Sequence, residues 1–176
     1  MMTNYDVISY TIASASFGEV LAAFSRRGLC YLSIGSSSDE LLSNLHRRFS
    51  LCEFAAETRR DRAVLARIIS AVEGSKPLPL PMLDLRGSDF QQQVWTQLLR
   101  IEFGKTCSYG QIARALRQPR ASRAVARACA ANPIAIVVPC HRVLRSDGTL
   151  GGYRWGLKTK AALLAKEGVY TPVCDG

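Results

Sequence analysis

Three prolines at alternate positions, Lys76-Pro77-Leu78-Pro79-Leu80-Pro81, constrain the possible folds of this chain more than any other stretch. Each proline removes a backbone donor and fixes φ, so neither a helix nor a central strand can run through them. An extended, stiff connection remains. It divides the 176 residues into a unit of 1–80 and a unit of 81–176. Charge follows nearly the same division. Up to residue 85 nine basic and nine acidic side chains balance, whereas beyond it fourteen basic side chains face five acidic ones. The whole formal charge of +9 therefore lies in the second half. Such asymmetry fits a polyanionic partner, nucleic acid above all, and equally fits a basic solvated face.

In the first half, Tyr5 to Ala13 alternates as a half-buried strand with Ile8, Tyr10 and Ile12 on one face. Short turns separate it from apolar runs at Val20–Phe24 and Leu29–Ile34, which predicts a three-stranded antiparallel meander. Ser37 and Glu40 form a capping-box pattern before a helix carrying Leu41, Leu42, Leu45 and Phe49. A second helix runs from about Glu57 to Glu73, with Gly74 as its stop. His46 and the arginine pairs 26/27, 47/48 and 59/60 fit a solvated surface, and nothing here proposes chemistry.

The second half opens with another capping box, Ser88 with Gln91, ahead of a helix from Asp89 to Arg100. A short helix over Ser108–Leu116, a turn at Arg117–Arg120 and a helix over Ala121–Ala131 make a helix-turn-helix. Arg120, Arg123 and Arg127, spaced three and four apart, are expected on one face. Small residues such as Ala124, Ala128 and Ala131 let such a helix approach DNA closely. Asn132-Pro133 stops it. Next come five apolar, mostly β-branched residues, Ile134-Ala135-Ile136-Val137-Val138, expected as a short buried strand that Pro139 ends. A thiol and an imidazole follow, Cys140 and His141. A cysteine becomes a strong nucleophile when a neighbouring base makes it a thiolate. The same pair could be an inert core thiol beside a surface histidine.

Cysteines at 30, 52, 107, 129, 140 and 174 form no Cys-x-x-Cys pair, so neither a zinc site nor a disulfide framework is expected, and no cofactor either. No apolar run approaches the roughly 20 residues of a membrane span. A reduced, cytoplasmic setting is expected, at the nucleoid in a prokaryote. Three functions stay open on these residues: a nucleophilic transferase acting on DNA, a non-enzymatic helix-turn-helix binder, and a turnover cysteine hydrolase. The hydrolase leaves the basic helix-turn-helix unexplained.

Ser108-Tyr109, Arg123-Ala124-Val125, Asn132-Pro133, Pro139-Cys140-His141-Arg142-Val143 and Gly151-Gly152-Tyr153-Arg154 occur in an order and spacing that resembles the O6-alkylguanine-DNA alkyltransferases. Lys160 and Leu163-Leu164-Ala165-Lys166-Glu167-Gly168 complete the pattern. Phe90-Gln91-Gln92-Gln93-Val94-Trp95 and Gly152-Tyr153-Arg154-Trp155-Gly156 are most similar to the methyltransferase domain of bacterial adaptive-response proteins. Those proteins carry a further metal-binding cysteine cluster that is missing from these 176 residues. No transcriptional activation is therefore expected of this chain alone.

The resemblance implies an α+β fold. A ribonuclease H-like N-terminal domain with a three-stranded antiparallel sheet and helices would precede a mostly helical, winged-helix-like domain with the helix-turn-helix. It also implies a single-use reaction, in which Cys140 takes the alkyl group from O6 of guanine, or O4 of thymine, and keeps it. His141 would be the base, working through a water, with Glu167 orienting it and Asn132 bracing the network. Tyr109 would donate to the leaving guanine, helped by Lys160. Arg123 would fill the gap left by the flipped nucleotide in double-stranded DNA bound through the minor groove, with Arg120, Arg127 and Ala124 alongside. Ala135, Val143, Tyr153 and Arg154 would line the substrate pocket, where the bulk of Trp155 favours methyl over benzyl adducts. A monomer without membrane contact is implied.

Overall fold

The computed structural model describes residues 6–78 and 80–169. The expected strand start Tyr5, Pro79 and Cys174 lie outside the described residues. The meander forms as β1 (Val7–Ala15), β2 (Gly18–Ser25) and β3 (Gly28–Gly35), paired antiparallel through two-residue turns. The expected three-stranded sheet is in fact four-stranded. After α1 (Ser38–Arg48) the chain returns as β4 (Glu53–Ala55), parallel to β1, giving the order β3-β2-β1-β4. Three residues are too few for an alternating pattern to register in sequence, and the segment acquires its strand geometry from pairing with β1.

β2 is buried on both faces, so the sheet is a layer between two cores. Leu21 and Ala23 join Leu41 and Leu45 of α1 and Phe49 just beyond it, whereas Val20, Ala22 and Phe24 point the other way. That second core holds Leu65, Ile68 and Ile69 of α2 (Arg59–Glu73) and continues into the C-terminal half through Val94, Trp95, Val125 and Ala128. Packing is therefore continuous across the proline segment. α2 starts after Thr58, whose side chain forms a capping box with the buried Asp61 rather than beginning at Glu57. The extended segment after the prolines lies along β3. Leu29 donates to the Met82 carbonyl and Asp84 donates back to Leu29, each at 2.9 Å. Gly28 permits this approach: it has φ +140°, and a Cβ there would meet the Met82 carbonyl at 2.3 Å.

The C-terminal half follows the expected helix order. α3 (Asp89–Leu98) has the Ser88–Gln91 box, and Trp95 donates across to the Ala128 carbonyl at 2.8 Å. α4 (Tyr109–Ala115) and α5 (Ser122–Ala130) form the helix-turn-helix, with Arg117 at φ +58° turning the chain between them. Arg120 lies in that turn, ahead of the first residue of α5, so only Arg123 and Arg127 share a helical face. A short parallel pair, β5 (Cys107–Ser108) with β6 (Val143–Leu144), ties the start of α4 to the segment beyond Cys140. α6 (Leu157–Lys166) closes the description.

The expected strand at 134–138 is not a strand. Ile134 makes one parallel bridge to Leu32, and the chain then coils into a buried turn with Ile136 at φ +66°. A continuous apolar run signals burial but cannot by itself distinguish a strand from another buried conformation.

Candidate active site

The buried turn exists because its polar backbone has partners. Asn132, wholly buried at the end of α5, accepts from the Ile134 N–H through Oδ1 at 2.9 Å and donates from Nδ2 to the Val138 carbonyl at 2.8 Å. One carboxamide thus closes both ends of the turn. The β3 edge adds two more, since Leu32 donates to the Pro133 carbonyl at 3.0 Å and accepts from Ala135 at 2.9 Å, and within the turn Val138 donates to the Ile134 carbonyl at 3.1 Å. Unpaired, such groups would carry a desolvation cost of about 1–3 kcal/mol each.

The turn delivers Cys140 at the head of a single 3₁₀ turn, Cys140–Arg142. Its Sγ accepts from the same Asn132 Nδ2 at 3.1 Å. Burial pushes the thiol up to about 11, against smaller opposing effects of the Asn132 hydrogen bond and the Lys160 charge. At neutral pH it rests as a thiol.

His141 is buried beside it, with Nε2 at 2.8 Å from Glu167 Oε1. Burial lowers the imidazole's affinity for a second proton, although Glu167 opposes this. Burial alone would raise the Glu167 carboxyl, but hydrogen bonds from His141 and Arg142 overcome it and hold the group down at about 2. Arg142 grips Glu167 with two bonds, Nε to Oε2 at 2.8 Å and Nη2 to Oε1 at 3.0 Å, and donates Nη1 to the Ile101 carbonyl at 2.5 Å. The Gly104 N–H adds a fourth bond to the carboxylate at 3.2 Å. An ionised Glu167 beside a neutral imidazole fixes the proton on Nε2 and leaves Nδ1 as the acceptor. Nδ1 is buried without a hydrogen-bond partner among the described residues.

Lys160 is fully buried and donates to the carbonyls of Val143 at 2.6 Å and Gly151 at 3.4 Å, while burial lowers its ammonium to about 8. It does not hydrogen-bond Tyr109. The link between them is Gly151, against which the Tyr109 ring packs so closely that a Cβ would lie 2.5 Å from its hydroxyl. Burial raises the Tyr109 phenol to about 12, with the Cys129 and Cys140 thiols adding to the effect, so it keeps its proton. Tyr153 meets the His141 ring edge-on at 6.5 Å and packs on Trp155 at 5.1 Å. Arg154 is exposed, its guanidinium 5.7 Å from the Trp155 ring, and Ala135 is buried in the turn.

On α5, Arg123 and Arg127 are exposed, Arg120 is exposed just before them, and Ala124 is half-buried. Ala128, expected on the same outward surface, is buried under Trp95 instead. Sequence reasoning missed the Arg142 clamp. Its only signal was a cation next to His141 with a lone acid near the chain's end. Among the described residues no group of three or more His, Cys, Asp or Glu is placed to hold a metal.

A family model for the 6-O-methylguanine DNA methyltransferase, DNA binding domain, matches residues 89–169. The chain is 47% identical over 161 residues to the bifunctional transcriptional activator/DNA repair enzyme Ada of Escherichia coli (strain K12). That match covers 91% of this chain and 45% of that protein, so the chain spans about half the length of that relative. It is 35% identical to the methylated-DNA--protein-cysteine methyltransferase of Lodderomyces elongisporus, over 90% of this chain and 91% of that one. The fold superimposes on Mycobacterium tuberculosis OGT in complex with DNA with a TM-score of 0.77 and 35% identity, covering 90% of this chain and 92% of the other.

Two expectations follow from the geometry. Asn132→Ala strands the Ile134 N–H, whereas the Val138 carbonyl keeps the Cys140 N–H at 2.8 Å, and should lower the unfolding free energy in urea by about 1–3 kcal/mol. Folding depresses the proton affinity of both His141 and Glu167, so the folded chain binds fewer protons than the unfolded one. The His141 contribution is whole above its ordinary value of 6.5 and is lost as the pH falls below it; that of Glu167 is lost between 4.5 and about 2. The melting temperature should fall on acidification, and His141→Gln should flatten the first of these windows.

Proposed function

The chain belongs to the methylated-DNA--protein-cysteine methyltransferase family, and from that premise we propose that it repairs DNA by direct reversal, moving an alkyl group from O6 of guanine, or O4 of thymine, onto its own Cys140. The observation that carries this reading is a buried thiol bound by Asn132, next to a neutral imidazole whose other nitrogen is fixed on Glu167. A resting thiol must lose its proton to react. His141 Nδ1, relayed by a water, is the group to take it, and Glu167 with Arg142 stabilises the imidazolium that forms. The thiolate then attacks the alkyl carbon, the S–C bond forms as the C–O6 bond breaks, and the electron pair leaves with the base. Tyr109, still protonated, donates to that leaving base. Lys160 acts indirectly by holding Gly151 and Val143. The thioether is stable, so Cys140 is spent after one transfer.

The target atom lies inside a duplex, so the nucleotide must be flipped out at a cost of a few kcal/mol. The exposed Arg123 on a helix of small residues suits insertion from the minor groove, where Arg120 and Arg127 are free to meet phosphates. The Val143 carbonyl, Tyr153 and the Arg154–Trp155 loop would receive the flipped base. We read the first unit, 1–80, as a ribonuclease H-like scaffold, supported by the antiparallel meander with a parallel fourth strand. The second, 81–176, is read as a winged-helix-like DNA-binding and transfer unit. The protein would act as a monomer, in the cytoplasm and at the nucleoid in a prokaryote. No helix among the described residues is long and apolar enough to cross a membrane.

Incubation with duplex DNA carrying radiolabelled O6-methylguanine should place close to one methyl on each protein molecule, on Cys140, with no further turnover. Cys140→Ala should bind the same DNA and take up no label. Label on another cysteine, or repeated turnover as a hydrolase would give, overturns the reading. Because Trp155 narrows the pocket, free O6-benzylguanine should inactivate the protein far more slowly than methylated DNA does, as followed by residual transfer activity.

A further inference from the structure

The longest-range side-chain contact near the site joins the two halves of the chain. Trp155 Nε1 donates to Ser33 Oγ at 3.0 Å, across 122 residues of sequence. Ser33 is buried on β3, next to Leu32, whose backbone holds the Pro133–Ala135 turn. One edge strand therefore holds both the turn that presents Cys140 and the indole that closes the other side. From Trp155 the packing runs through Tyr153 to His141, ring against ring at 5.1 and 6.5 Å. Trp155 and Ser33 also line a cleft of about 670 Å³, together with Gly18, Gly35, Ser36 and Asn44. The indole thus packs on the active-site aromatics and also borders an open cleft, and Ser33 is the group that hydrogen-bonds it in place.

We propose that Ser33 is a specificity-determining positioning residue, which sets the largest alkyl group the protein accepts by latching Trp155 against the N-terminal sheet. The claim rests on the alkyl-transfer reading above. A methyl group needs no movement of the indole. A benzyl group needs the indole displaced, and that displacement breaks its bond to Ser33. Removing the hydroxyl removes that part of the barrier for large adducts and leaves small ones untouched.

The test compares transfer rates for O6-benzylguanine and for O6-methylguanine in duplex DNA. In Ser33→Ala the benzyl-to-methyl ratio should rise up to about tenfold, the range one buried hydrogen bond spans, with methyl transfer near the wild-type rate. Ser33→Thr keeps the hydroxyl and should restore the wild-type ratio. Acrylamide quenching of tryptophan fluorescence should increase in Ser33→Ala and not in Ser33→Thr, because Trp95 stays buried in both. If Ser33→Ala fails to fold, Trp155→Phe removes the donor from the other side and should raise the same ratio. Where both single variants fold, adding Ser33→Ala to Trp155→Phe should give no further rise. Methyl transfer with an unchanged ratio in the folded Ser33→Ala variant overturns the role of Ser33 alone. A rise on adding Ser33→Ala to Trp155→Phe as large as Ser33→Ala gives by itself also overturns it. Failure of the wild-type protein to accept a methyl group overturns the transfer reading, and the size claim with it.

Discussion

The carboxamide of Asn132 is the interaction on which the rest of the site depends. A buried turn of five apolar residues leaves main-chain groups that water cannot reach, and such groups must find partners inside the protein. Asn132 takes one at each end of the turn and gives its second N–H to the thiol just beyond. Its amide has both a donor and an acceptor, which is what a turn closed at both ends requires. Aspartate would lack the donor, and an apolar residue would lack both.

Burial then shapes the chemistry of everything the turn presents. It raises the Cys140 thiol, lowers the His141 imidazole and lowers Lys160, always toward the neutral form. Glu167 is the exception, because four hydrogen bonds from Arg142, His141 and Gly104 outweigh its desolvation. The arrangement holds a neutral thiol, a neutral base and one firmly charged carboxylate.

The two halves of the chain divide this work unequally. The C-terminal half supplies the thiol, the imidazole, the carboxylate and the basic helix, in line with the location of the charge excess. The N-terminal sheet supplies placement. β3 forms part of the main-chain frame of the active turn through Leu32 and anchors the pocket loop through Ser33. The N-terminal sheet thus positions the thiol-bearing turn without adding a side chain to the Cys140–His141–Glu167 cluster.

Local rules fixed much of this in advance. The caps at Ser37, Thr58, Ser88 and Ser108 act within four residues, so the helix starts at Ser37, Ser88 and Ser108 were legible in sequence, as were the meander and the helix-turn-helix; at Ser37 only half of the expected box forms, because the Glu40 carboxylate accepts from Ser36 instead. The order of motifs around Pro139-Cys140-His141-Arg142 pointed to the family and to the roles proposed for the thiol and the imidazole. What sequence could not convey were contacts made across long separations. β4 is a strand only because β1 lies beside it, and the apolar run 134–138 is a turn only because Asn132 and Leu32 satisfy its backbone. Ala128 faces inward because Trp95 covers it. The Arg142 clamp and the Ser33 latch join residues 25 and 122 positions apart. Sequence by itself determined which segments could be helices and strands, where the charge lies and which thiol stands beside a base. Tertiary structure decided which of those groups meet, because burial and hydrogen bonding between distant segments depend on how the layers pack and leave no periodic trace in the chain.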